Sequence, residues 1–362
     1  MDTIIQRDRR YQQIESVLNE LCCINRQGGR ERIIIVAKKT GGTMSNNKKA
    51  DNNKKKGQYR VKNWKTYNQA LVQRGSLTLW FEEKTVESWL NQERTGQRGH
   101  PQVYGEVAVQ CMLLLKQTFH LALRQTQGFM QSVFQLVGHN LPVLSYSQLS
   151  RRQKTVQLRL PRQTLGQAIH VLVDATGLKV YGEGEWKTRQ HKVSKRRTWR
   201  KVHLAFDAVT GEVLAEVTTE NNVHEKEVLP VLLNQIKETI DRVGADGGYD
   251  YLTCYEAIAE RKAQAIIPPR RDGRIWDNGQ MDERDAHLRR IAEIGRAAWK
   301  QESDYHRRSL AETGIFRLKK IFGATLSAHS LKNQQQEVRL RCVALNRMTA
   351  LGMPESYPVS VA

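Results

Sequence analysis

The stretch Ala168-Ile-His-Val-Leu-Val-Asp-Ala175 is a short apolar run closed by a carboxylate, with Thr176-Gly177 just beyond. So short a run, rich in β-branched residues, reads as a buried strand and not as a helix. It places Asp174 at the end of a first, central strand. Outward from it, Lys201–Ala208 and Val213–Thr219 flank Val209-Thr-Gly211 and read as a hairpin. Glu225 to Glu238 has helical spacing, Val243-Gly-Ala-Asp246 is a short strand, and Tyr251–Glu260 is a helix. Ala263–Ile267 is another strand, stopped by Pro268-Pro269. Residues 270–302 read as polar and irregular. Tyr305–Phe322 is helical, and Gln334–Met348 is a final amphipathic helix.

Three antiparallel-prone strands, then helix–strand–helix–strand, then helices is the order of an RNase H-like α/β core: a mixed sheet flanked by helices, spanning about 165–330. That order brings together Asp174, Asp246 just before Gly247-Gly248, and Glu312 on the late helix. Cleaving a phosphodiester by in-line attack uses two divalent cations roughly 3.5–4 Å apart. A hard cation such as Mg²⁺, with Mn²⁺ as a substitute, takes oxygen ligands and keeps open positions for phosphate and water. Asp174 would bridge both ions, and Asp246 and Glu312 would each complete one side. Tyr305, Arg308 and Lys319 stand at −7, −4 and +7 from Glu312, all on one helical face. Arg308 and Lys319 would hold phosphates beside the metals.

The chain has 362 residues, with 58 Lys and Arg against 37 acids, a net charge of +21. So basic a chain points to a polyanionic partner, above all nucleic acid. The five cysteines, Cys22, Cys23, Cys111, Cys254 and Cys342, are scattered, odd in number and form no CxxC pair, which supports neither a zinc ribbon nor a secreted disulfide framework. No apolar run reaches the roughly 18 residues of a membrane span. With no signal core at the N-terminus, a cytoplasmic setting is expected, and Met44 is a plausible second start. Residues 1–61 read as a disordered basic extension, because Gly41–Gly57 is almost free of apolar side chains. Residues 62–152 turn helical and read as an N-terminal all-α DNA-binding domain. Ser145-Tyr-Ser-Gln-Leu-Ser-Arg-Arg152 is a candidate helix-turn-helix reader. Residues 331–362 are expected as a terminal helix and tail. Between the first two strands, Lys179–Lys201 carries nine Lys and Arg and two Glu. There Lys195, Arg196, Arg197 and Arg200 would track a DNA backbone, with Trp186 and Trp199 able to stack on bases. His203 and His224 read as satisfied polar residues.

The spacing Tyr305-x2-Arg308-x3-Glu312-x6-Lys319 resembles the signature of DDE-type insertion-sequence transposases. The surrounding segments are similar to the insertion sequence 5 family, and within it to the insertion sequence 903 group. They are Asn63–Leu71, Arg74–Thr78, Asp174–Trp186, Ala245–Asp250, Ile267–Arg270 and Met353–Ser356, and the resemblance runs from about Lys62 to Ser356. It implies that Asp174, Asp246 and Glu312 are the metal-binding triad, and Tyr305, Arg308 and Lys319 an accessory DNA-contacting set. It implies recognition of terminal inverted repeats, cutting of the element's ends, and joining of 3′-hydroxyls to target DNA by a dimer or higher oligomer. Some related transposases hold a flipped base on a tryptophan near this helix, which makes Trp299 a candidate. A metal-dependent nuclease that cuts without joining and a DNA-binding repressor are the rival readings; the intact triad argues against the second.

Overall fold

The computed structural model describes residues 58–80, 83–91, 103–163, 166–181, 198–275, 277 and 282–359. Residues 1–57, including most of the expected basic extension, lie outside them, as do Trp186, Lys195, Arg196 and Arg197. The chain forms two compact units.

Within the smaller unit, β1 (Gln58–Val61) pairs antiparallel with a C-terminal strand, Ser356–Val359, in register Gln58↔Val359. The Lys62 N–H donates to the Glu355 carbonyl at 2.7 Å and extends that ladder. Residues 58–61 of the expected extension and 356–359 of the expected tail are therefore strands. Each supplies the other's backbone partners, a pairing that neither segment's local pattern reveals.

The larger unit holds Trp64–Gln127 and Leu144–Met353. Its N-terminal helices are α1 (Trp64–Gln73), α2 (Glu83–Glu87) and α3 (Glu106–Thr118). The helix α4 (Leu123–Val137) begins in this unit, and α5 (Tyr146–Arg152) follows. α5 starts as expected on Ser145, in a capping box with Gln148. One of its two arginines is already engaged: Arg152 pairs with Glu106 at 2.7 Å and bonds the Tyr104 carbonyl.

The sheet has the strands β2 (Ile169–Val180), β3 (Trp199–Asp207) and β4 (Val213–Glu220). α6 (Glu225–Asn234), β5 (Ile240–Gly244), α7 (Leu252–Glu260) and β6 (Gln264–Ile266) continue it. Across the sheet the order is β4-β3-β2-β5-β6. The β2–β3 and β3–β4 pairs are antiparallel, and β2–β5 and β5–β6 are parallel. This mixed sheet agrees with the expected RNase H-like order.

Asp174 does not end its strand. The parallel pairing of β2 with β5 stops at Leu172↔Gly244, whereas its antiparallel pairing with β3 runs on to Lys179↔Trp199. The sheet thus opens on the β5 side just where Asp174 stands, and Asp246 lies two residues past the end of β5.

Residues 270–302 are not irregular. They contain α8 (Asp282–Ile294) and α9 (Arg296–Glu302). The hydrophobic pattern misses α8 because part of its buried face is ionic: Arg284 and Asp285 are both buried. The expected helix from Tyr305 divides into a 3₁₀ turn, Tyr305–Arg308, and α10 (Ser309–Phe322), after a left-handed Asp304. A two-residue strand, β7 (Thr325–Leu326), pairs with the far end of β2, and α11 (Leu331–Ala350) follows.

Two helical layers cover the sheet. Val171, Val173, Ala205 and Ala215 pack on Leu229, Leu232 and Leu233 of α6 and on Cys254 and Ile258 of α7. α10 lies on β2 and β3, and α11 on β4. α11 is no appended tail: its Asn346 amide closes a two-way bond with the Val213 backbone at 2.7 and 2.8 Å, satisfying the edge strand. α3 packs along α11, and Gln117 accepts from Arg341. The boundaries expected near 152 and 330 therefore mark no separate bodies, because α3 and α11 share one core with the sheet.

Candidate active site

The site is built where the sheet parts. Asp174 shares a face of the sheet with its register partner Leu204 on β3 and with the neighbouring pair Leu172 and Phe206. Its Oδ1 accepts the Ala175 N–H at 2.9 Å. Asp246 caps the 3₁₀ turn Gly247–Tyr249, its Oδ1 accepting the Gly248 N–H at 2.9 Å. A Cβ at Gly248 would stand 2.9 Å from that same oxygen, so any side chain there would push the capping carboxylate aside. Tyr249 anchors the other end of the turn, its hydroxyl 3.2 Å from Nδ1 of His203 on β3. Burial holds the His203 imidazole down to about 4 and pushes the Tyr249 phenol up, so both stay neutral near pH 7. His203 is thus a buried structural partner. His224 is exposed ahead of α6 and makes no side-chain cap.

Glu312 stands in the first turn of α10. The Arg308 guanidinium bonds the Glu312 carboxylate through Nη2, and its Nη1 lies 3.5 Å from Asp174 Oδ2. The Tyr305 ring centroid is 5.8 Å from the same guanidinium. Arg308 is thus a cationic bridge among carboxylates, and the negative charge of Asp246 acts on it too. Burial lifts the Asp174 carboxyl above its ordinary range, and the charges of Asp246 and Glu312 add to that; the Ala175 N–H and Arg308 oppose it. A carboxylate raised by burial, with two others adding to the effect, marks a place where a cation would be welcome.

The depth of α10 depends on a residue the sequence reading passed over. A Cβ on Gly314 would fall 2.4 Å from Cε1 of Phe206, a ring 1% exposed on β3. The bare glycine lets α10 lie on the sheet closely enough for Glu312 to share Arg308 with Asp174. The signal was a glycine inside a helical pattern, two residues after Glu312. Gly314→Ala should therefore destabilise the protein. Overpacking costs about 1–3 kcal/mol, against roughly 1 kcal/mol gained from helix propensity. Urea unfolding reads the difference, and a variant more stable than wild type would rule out this close packing.

Two family models, both described as Transposase DDE domain, match residues 72–183 and 165–347. The second takes in half of the chain, including β2 through most of α11, and with it Asp174, Asp246 and Glu312. The chain belongs to the DDE transposase family. It is accordingly a polynucleotidyl transferase acting on DNA.

The remaining candidates of this transposase are distributed unevenly. Lys319 lies two turns past Glu312 in the last turn of α10. Arg200, on β3, donates to Gln334 at 2.7 Å and is half-buried. The Trp199 ring lies against Gly177 and stays 40% exposed. Trp299 offers no open face to a base: it is 2% exposed, edge-on to His287 and tilted against Tyr305. Its place is structural, bracing Tyr305 from behind.

The donor chemistry of Asp174, Asp246 and Glu312 fits divalent ions, being hard oxygens gathered around unneutralised charge. Among the described residues, no three His, Cys, Asp or Glu side chains stand close enough to hold an ion as they are. The fit is one of donor type and place. Likewise among the described residues, no helix is long and apolar enough to cross a membrane.

Proposed function

We propose that this transposase binds the terminal inverted repeats of its own insertion sequence, cleaves the DNA in a metal-dependent reaction, and transfers the cut strand to target DNA. The observation that carries the reading is the shared Arg308, which ties Glu312 of α10 to Asp174 of β2 within the field of Asp246. The segment matches described above support placing the element in the insertion sequence 5 family, 903 group.

Each residue then has a task. Asp174, Asp246 and Glu312 hold divalent ions, Mg²⁺ with Mn²⁺ as a substitute, which when bound polarise the attacking and leaving oxygens. Arg308 sits between those carboxylates, where it can turn its fork to a phosphate oxygen. Tyr305, braced by Trp299, fixes the side from which Arg308 approaches. Lys319 adds a second cation further along α10, and Arg200, with the basic run before it, extends the path for DNA. The helical region 62–152 reads the element ends. Joining two ends calls for a dimer or higher oligomer on DNA, working in the cytoplasm at the nucleoid.

The test is a cleavage and strand-transfer assay. Purified full-length protein meets labelled duplex carrying the ends that flank its gene, with Mg²⁺ or with EDTA. Nicking at the element's end and joined products, both lost in EDTA, are expected. Cutting without joining would reduce the protein to a nuclease. Binding without cutting would make it a repressor.

A further inference from the structure

A second concave site lies beyond Asp246, and the roles above leave it unused. It is a cavity of about 540 Å³ lined by Lys226 in the first turn of α6, Asp250 and Tyr251 before α7, and Arg270, Asp272 and Arg274 of the loop after β6. Lys226, Arg270 and Arg274 are exposed. We propose that this cavity is a phosphodiester-binding subsite that grips the backbone of the substrate DNA a few nucleotides from the reacting phosphate. This rests on the reading of the protein as one that cuts DNA at Asp174, Asp246 and Glu312.

The charge balance argues for it first. Asp250 is already satisfied: its Oδ1 accepts from Arg284 Nε at 2.8 Å, and its Oδ2 from the Arg270 N–H at 2.8 Å. What faces the cavity is three cations against the single carboxylate of Asp272.

The cations are also held in place. Lys226 Nζ lies 5.6 Å and Arg270 Cζ 4.6 Å from the centroid of the Tyr251 ring, so one ring sets the position of both heads. The loop beneath Arg270 and Arg274 is tied down at both ends. Arg284 Nη1 donates to the Arg274 carbonyl at 2.9 Å, and Gly273 N–H donates to the Arg270 carbonyl at 3.0 Å. Two cations set on a rigid frame lose little entropy on meeting phosphates, unlike free surface lysines.

Location argues last. Tyr251 follows Asp246 by five residues through the Gly247–Tyr249 turn. Five residues span at most about 18 Å. With one phosphate of each strand per about 3.4 Å of duplex axis, the cavity lies within roughly five base pairs of Asp246.

The test uses the full chain and fluorescein-labelled duplex carrying the element end, with binding followed by anisotropy across a salt series. Lys226→Ala/Arg270→Ala should raise Kd at least fivefold at about 0.15 M salt. It should also lower the slope of log K against log salt by about two, since each phosphate contact contributes roughly 0.9. The control Lys237→Ala/Lys332→Ala removes the same charge from exposed positions outside the cavity and should change Kd less than twofold. Tyr251→Leu, which removes the ring but no charge, should weaken binding by an intermediate factor. Equal thermal midpoints for the double variants show that folding is not the cause. Wild-type affinity and slope in the cavity variant, with metal-dependent cutting intact in wild type, would overturn the subsite alone. Equal losses in both double variants would overturn it as well, by reducing the effect to net charge. A wild-type protein that neither binds nor cuts DNA would overturn both the subsite and the reading beneath it.

Discussion

Glu312→Gln is expected to lower cleavage and strand transfer by about a thousandfold, roughly 4 kcal/mol of barrier, while leaving affinity for the element end within about twofold. The substitution keeps the shape of the side chain and removes its charge, and with it one of three anionic oxygen ligands. Only the arrangement of charge around the reacting phosphate changes. Stability should hardly move: Glu312 is 55% exposed, and its pairing with Arg308 is of the exposed kind worth about 0–1 kcal/mol. That separates the prediction from trivial unfolding, since the variant should melt with wild type and still shift labelled DNA. Retention of more than a tenth of the wild-type rate would remove Glu312 from the reaction. An equal loss of binding would make it a DNA contact instead.

Arg284→Met should cost about 3–5 kcal/mol of folding stability. Arg284 is 5% exposed and its partner Asp250 1%. The guanidinium meets Asp250 at 2.8 Å, approaches the buried Asp285 at 3.6 Å, and donates to the Arg274 carbonyl. Methionine fills the space but leaves two buried carboxylates without their shared cation, and a buried charge without its partner is the costly case. Since Arg284 also fixes the loop bearing Arg270 and Arg274, the variant should lose DNA affinity wherever it still folds. Guanidinium unfolding with a midpoint within experimental error of wild type would show that Asp250 does not depend on this pair.

As candidates, Asp174, Asp246 and Glu312 were legible because each sits in a short local pattern: an apolar run with a terminal acid, an acid before two glycines, an acid at fixed offsets from Tyr305, Arg308 and Lys319. The sheet order was legible for the same reason, since strands and helices alternate with clear punctuation from β2 to β6. What failed did so where burial is polar or the partner is distant in sequence. α8 escaped because a periodic apolar face is the usual sign of a buried helix, and this one buries Arg284 and Asp285. Trp299 resembled a ligand for a base because aromaticity alone does not show which side of a ring is covered.

By itself, the amino-acid sequence determined the strand and helix succession, the acidic residues that this succession could gather, and the basic character that suits a DNA partner, because these rest on local periodicity and composition. Only the tertiary structure decided that β2 runs on past Asp174 while its pairing with β5 stops at Leu172, so that the carboxylate faces an opening in the sheet. It decided that Gly314 lies under Phe206, which lets Glu312 and Asp174 share Arg308. It also joined α3 and α11 to the sheet in one core, and gathered Lys226, Tyr251 and Arg270 around one cavity. These are contacts between segments remote along the chain. Their geometry follows from how closely backbones approach and which buried charges find partners, and neither quantity is carried by any local window of residues.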